Sequence, residues 1–135
     1  MALVGCAIAN HGVINQPYLV KNIKNPSGEI SYSADTKEIA RPIGSDIAKR
    51  VASVLEGVVK RGTGTAAAIK GVTVAGKTGT AEKGGDKDDS WFVGFANDEQ
   101  GGSVVIALVL EDSNDAPAKS QNVLRTALKK QGRLN

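Results

Sequence analysis

An α+β fold, an antiparallel sheet flanked by helices, is predicted by three features of this sequence. The first is a change of period: residues 45–62 carry apolar side chains at helical spacing, whereas residues 72–80, 90–96 and 103–110 carry them at strand spacing. The second is that short connections separate those strands, which favours an antiparallel three-strand meander. The third is that residues 103–110 are apolar on both faces, so each face needs a cover and helices should flank the sheet.

Taken in order, residues 2–11 are apolar with several small residues and stop at His11-Gly12, which predicts a short buried helix with a glycine C-cap and no capping residue at its start. Residues 18–23 and 29–32 are β-prone around the turn Asn25-Pro26-Ser27-Gly28, so a small hairpin is expected near 18–32. Ser45 is placed to cap a helix whose apolar positions are Ile47, Val51, Val54, Leu55, Val58 and Val59, running up to Gly62. In the strand at 90–96, Trp91, Val93 and Phe95 share one side and read as core. Pro117 opens a last helix with an apolar stripe of Val123, Leu124, Ala127 and Leu128, and Gly132 follows its end.

A chain of 135 residues, 41% apolar and 23% charged, is sized for one domain that buries roughly two-thirds of its unfolded surface. Its 17 basic residues against 14 acidic ones are scattered, and aromatics are 4%, so nothing marks a nucleic-acid surface. No apolar run approaches bilayer-spanning length, and the chain as given reads as soluble. Leu3-Val4-Gly5-Cys6 imitates a lipoprotein cleavage site but lacks the basic region and long apolar stretch a signal needs. Cys6 reads instead as a small buried hydrophobe, and a single cysteine makes no internal disulfide.

Residues 71–78, GVTVAGKT, satisfy the phosphate-loop pattern G-x-x-x-x-G-K-[ST]. A phosphate loop needs an irregular turn across the four variable positions and a helix starting at the lysine, so that backbone N–H groups converge on the anion. Here Val72, Thr73, Val74 and Ala75 are strand-like, and the three glycines soon after Lys77 oppose a helix. The stretch Gly62-Thr63-Gly64-Thr65 imitates a dinucleotide fingerprint but follows a helix rather than a strand.

On a strand, Lys77-Thr78-Gly79-Thr80 has a different use. Alternation puts Lys77 and Gly79 on one side and Thr78 and Thr80 on the other. At a sheet edge such a strand can dock an extended acyl-peptide through its unpaired backbone groups, and Gly79 permits close approach. Lys77 supplies positive charge, the threonine hydroxyls can donate to a carboxylate, and the Thr80 backbone N–H can face a developing oxyanion. The pattern fits an anionic acyl substrate, although a surface strand with an ordinary lysine satisfies it too.

Gly76-Lys77-Thr78-Gly79-Thr80-Ala81-Glu82, then Ser90-Trp91-Phe92-Val93-Gly94-Phe95-Ala96 and residues 104–111, resemble the C-terminal part of a penicillin-binding protein transpeptidase domain. Ala9-Asn10-His11-Gly12-Val13-Ile14, Pro17-Tyr18-Leu19-Val20, Gly57-Val58-Val59 and Gly62-Thr63-Gly64-Thr65-Ala66 agree, in the family's order. The likeness is greater to the monofunctional class B enzymes than to the bifunctional ones. It implies a partial β-lactamase/transpeptidase-like fold with the K-T-G strand at the edge of an active site. The reaction implied is serine acyl transfer from the D-Ala-D-Ala end of a peptidoglycan stem peptide, with β-lactams acylating the same serine and no cofactor or metal. Lys77 would join the proton-transfer and electrostatic network, Thr78, Gly79 and Thr80 would bind substrate, and the Thr80 N–H would be an oxyanion-hole donor. The parent protein would act on the extracytoplasmic face of the bacterial cell membrane.

That chemistry also needs S-x-x-K, carrying the nucleophile, and S-x-N. No serine here has a lysine three residues later, and Ser120-Gln121-Asn122, the one S-x-N, follows the K-T-G strand instead of preceding it and reads as chance on a helix polar on one side. The chain is therefore expected to be the last part of a transpeptidase domain, 1–135, inactive alone, whose strand 103–110 exposes an edge and invites dimerisation or another segment. The alternatives are a non-catalytic binding or regulatory module of the same fold, a nucleotide-binding protein, a serine β-lactamase or a β-lactam sensor. His11 has no second ligand nearby, and Glu82, Asp86, Asp88 and Asp89 lack calcium-loop spacing and read as a solvated loop.

Overall fold

The computed structural model describes residues 1–84, 88–97 and 102–134. Its elements are α1 (Ala2–Ala9), β1 (Ile14–Asn15), β2 (Asn22–Lys24), β3 (Ile30–Ser33), β4 (Glu38–Ala40), α2 (Ser45–Arg61), a 3-10 turn at Thr65–Ala67, β5 (Thr73–Ala81), β6 (Asp89–Asn97), β7 (Ser103–Leu110) and α3 (Ala116–Lys130). The α+β class, the meander and the helix on each face stand as the sequence predicts.

The meander forms because β-branched and aromatic residues dominate all three strands. They pair antiparallel in the order β5–β6–β7, with Gly76 opposite Gly94 and Trp91 opposite Val109. Both outer strands are edges among the described residues. Alternation sorts the side chains into two layers. Even-numbered Val74, Phe92 and Ala96 join Leu124 and Leu128 of α3 and Val59 of α2 in the main core. Odd-numbered residues face α1, whose Gly5 lies against Val93 and Val105.

Phe92 is the centre of this packing. It is fully buried, and its ring spreads over the cross-strand pair Gly76 and Gly94. A Cβ added at Gly76 would sit 2.3 Å from the ring, and one at Gly94 would sit 2.6 Å from it, so both strands need glycine at that level. The opposite face is less complete: Phe95 is buried as expected, but Trp91 and Val93 are only half-buried.

Several expectations change at the periphery. The α2 helix starts one residue earlier than a Ser45 cap implies: Gly44 is the N-cap, and no side chain among the described residues caps the helix. Its apolar face is partly open, with Ile47 and Val54 exposed. The α1 helix is not buried, because only Gly5 and Ala7 are covered while Leu3 and Val4 face outward; it ends at Ala9, and the chain turns through positive φ at His11 and Gly12. Strand β7 has α3 on one face and α1 on the other, yet none of its side chains is fully buried.

The hairpin is β2–β3, closed by a turn in which the Gly28 N–H donates to the Asn25 carbonyl at 2.9 Å. Its first strand begins at Asn22, leaving 18–21 outside the ladder. A second small pair, β1 with β4, was not signalled by the sequence. In α3, Ser120, Leu124 and Leu128 point inward and Val123 outward, so Ser120 is on the buried side and not on the polar one. Its Oγ has no hydrogen-bond partner among the described residues.

Candidate active site

The structure puts Lys77 in the middle of β5, opposite Val93, with no helix beginning there. The phosphate-loop geometry is therefore absent from 71–78. Instead Lys77, Thr78, Gly79 and Thr80 occupy the outer half of an edge strand. Lys77, Gly79 and Thr80 are exposed and Thr78 is half-buried. A Cβ added at Gly79 would lie 3.3 Å from the Trp91 Cβ, so a side chain there would crowd the half-buried tryptophan.

Alternation separates the Cβ atoms of Lys77 and Thr78, but the long lysine stem folds back across the edge. Lys77 Nζ donates to the Thr78 carbonyl at 2.7 Å and to Thr78 Oγ1 at 3.4 Å. The expected division of Lys77 and Thr78 between two faces thus does not hold at the level of their polar atoms. Thr78 Oγ1 also lies 2.7 Å from Thr63 Oγ1. The Gly62–Thr65 stretch, set aside as a false fingerprint, delivers a second hydroxyl to the K-T-G strand. Only a contact across fifteen residues of sequence reveals it.

Beyond the K-T-G strand, the end of the sheet is closed by charge. Lys83 Nζ pairs with Asp89 Oδ1 at 2.7 Å and Asp112 Oδ1 at 3.0 Å, and Asp89 Oδ1 also accepts the Asp112 N–H at 3.1 Å. These bonds, first to Asp89 and then to Asp112, hold the Lys83 ammonium above its ordinary range. The Asp89 carboxyl is held below its ordinary range by the bond from Lys83, against a smaller opposing effect of burial and with help from the Asp112 N–H. Asp89 is therefore taken by a lysine, which corrects its reading as part of a solvated loop; Asp86 lies outside the described residues. Nearby, the Ala116 N–H, first in α3, donates to Ser90 Oγ at 3.3 Å, and Gln121 of α3 donates to the Ala68 carbonyl. The even-numbered face of β6 thereby anchors the helix start.

Among the described residues no group of three His, Cys, Asp or Glu gathers to hold a metal ion, and no helix is long and apolar enough to cross a membrane. His11 is exposed, and its carbonyl accepts from Arg41 at 3.5 Å. Cys6 is half-buried in α1, and burial raises its thiol pKa.

Known proteins resemble this chain in sequence and fold. The peptidoglycan D,D-transpeptidase PbpA of Mycolicibacterium smegmatis is 31% identical over 118 residues, a match covering 84% of this chain and 24% of that protein. The D,D-transpeptidase domain of a peptidoglycan glycosyltransferase from Eggerthella lenta superimposes with a TM-score of 0.90 at 54% identity, covering 98% of this chain and 32% of that one. Penicillin-binding protein A from M. tuberculosis, solved as an imipenem acyl-enzyme complex, gives a TM-score of 0.78 at 30% identity, covering 94% of this chain and 29% of that one. The chain thus spans about a quarter to a third of the length of these relatives. Residues 1–129 match the penicillin binding protein transpeptidase domain, and the chain belongs to that family.

Proposed function

We propose that this chain forms the K-T-G wall of a serine D,D-transpeptidase site and contributes the C-terminal portion of the domain. The observation that carries the reading is the position of Lys77-Thr78-Gly79-Thr80 on an open sheet edge, with an ammonium and two hydroxyls converging there. A carbonyl that takes an ammonium as the Thr78 carbonyl does points off the open edge, and two-residue alternation then turns the Thr80 N–H to the same side. In this reading that N–H donates to the oxyanion formed when a serine attacks the D-Ala-D-Ala carbonyl. Thr78 and Thr80 hold the terminal carboxylate, Gly79 lets the peptide backbone close on the strand, and Lys77 supports proton transfer and the developing charge. The same groups receive a β-lactam carboxylate.

The nucleophile comes from an S-x-x-K motif that the 135 residues do not contain, so the chain alone transfers no acyl group. Its partner is the remainder of a transpeptidase domain, seated against the β7 edge and the exposed apolar residues of α1; without that cover, two copies pair there. The whole protein works at the extracytoplasmic face of the bacterial membrane. The missing nucleophile also favours a second reading, in which the same edge binds peptide without chemistry. Mass spectrometry after incubation with penicillin tests the first. A chain extended through an upstream S-x-x-K gains the mass of the drug and the 135-residue chain does not. An adduct on the shorter chain overturns the proposal, and no adduct on the longer one favours the non-catalytic reading.

A further inference from the structure

Thr63 sits between two glycines that are tied to one point. The Gly62 and Gly64 N–H groups both donate to the Val58 carbonyl, at 3.0 and 3.2 Å, just past the end of α2. A Cβ on Gly62 would lie 3.0 Å from that carbonyl oxygen, so the turn is held tightly against the helix end. What it presents is the Thr63 side chain, exposed and with its Oγ1 2.7 Å from Thr78 Oγ1.

A hydrogen bond between two hydroxyls consumes one of their two protons and leaves the other. Lys77 Nζ, which can only donate, lies 3.4 Å from Thr78 Oγ1 and biases that oxygen toward accepting. If Thr63 donates, the Thr78 proton is left over; if Thr78 donates, the spare proton is that of exposed Thr63. In both arrangements the pair offers one O–H beside one ammonium, which suits a carboxylate.

We propose that Thr63 is a positioning residue of this carboxylate site: it fixes the direction in which the Thr78 hydroxyl donates and shares in binding the terminal carboxylate of an acyl-peptide. The inference rests on the K-T-G reading above and extends the site beyond β5, to the turn after α2.

The test is titration of the isotopically labelled 135-residue chain with N-acetyl-D-alanyl-D-alanine and with its C-terminal amide, followed through the backbone amide signals of residues 77–80. The acid should shift those signals. Thr63→Ala should weaken the acid about 3- to 10-fold, the factor expected for one hydroxyl hydrogen bond, while leaving the amide unchanged, and Thr63→Ser should restore wild-type affinity. Unchanged acid affinity in Thr63→Ala, with Thr78→Ala impaired, overturns the role of Thr63 and leaves the K-T-G reading standing. Equal weakening of acid and amide, or no rescue by serine, marks Thr63 as structural only and overturns the proposal. No response to the acid in the wild-type chain overturns both readings.

Discussion

Along β5 the sheet ends in Lys77, Thr78, Gly79 and Thr80, whereas along β7 it ends in Val105, Ala107, Val109 and Leu110, apolar side chains that α1 and α3 cover only in part. Both are edges of one sheet, with β6 as their common neighbour. A lysine and hydroxyl groups at the first edge are stable in water and discourage strand pairing, which leaves the backbone free for a ligand. The second edge carries no such protection; Val109 is 40% exposed. One edge is polar and stable in water; the other is apolar and only partly covered.

The harshest way to break the comparison is to remove what the edges share. Phe92→Ala should cost about 3–5 kcal/mol in urea denaturation, since a fully buried ring bridging two glycines has nothing to replace it. A cost below about 1 kcal/mol would show that the glycine pair, not the ring, holds the strands together.

Next comes a change to one edge only. Val109→Lys should weaken any self-association by at least about tenfold, roughly 1.4 kcal/mol, in sedimentation velocity, while Lys77→Ala should leave it untouched. A wild-type chain that stays monomeric at high concentration would remove the β7 half of the comparison. Ser90→Ala reaches between the edges, because Ser90 is opposite both Thr80 and Leu110 and its Oγ accepts from the first N–H of α3. Thermal denaturation should register about 1 kcal/mol for that lost buried bond.

The smallest effect is a local pH dependence. The Asp89 carboxyl is lowered on folding, so its contribution is complete above the ordinary carboxylate range, about 4, and is lost as pH falls through its depressed value. Lys83 is raised, so its contribution is complete below about 10.5 and is lost only as pH climbs through its elevated value. The protection of the Asp112 amide, taken relative to its intrinsic exchange rate, should fall on the acid side in the wild type. Asp89→Asn should show the lowered protection already at neutral pH and lose the acid step; an acid step that survives in the variant assigns it to another group.

What the sequence disclosed follows the range of the interactions. Strand period, the α2 repeat, the Asn25–Gly28 turn and the K-T-G strand were legible because each is written in neighbouring residues, and each appears within a residue or two of its expected bounds. The pairing of Ile14 with Ala40 was hidden because a two-residue strand has no period to read. Thr63 was hidden for a related reason, since its partner hydroxyl lies fifteen positions away and only folding brings the two together. The misplaced cover over α1 and β7 has another origin: apolar residues ask for burial without saying whether it comes from the same 135 residues. Ser120 is the reverse case, a hydroxyl that composition assigns to the wet side and packing placed in the core.

The Lys83 pairing with Asp89 and Asp112 has one more consequence. It joins the chain just after β5, the start of β6 and the chain just after β7, so all three strands are fastened at the end where the Lys77 hairpin turns. The register at the K-T-G end of the sheet is thus held by charge as well as by the backbone ladders: a slip of either outer strand against β6 would pull Lys83 away from one of its two carboxylates.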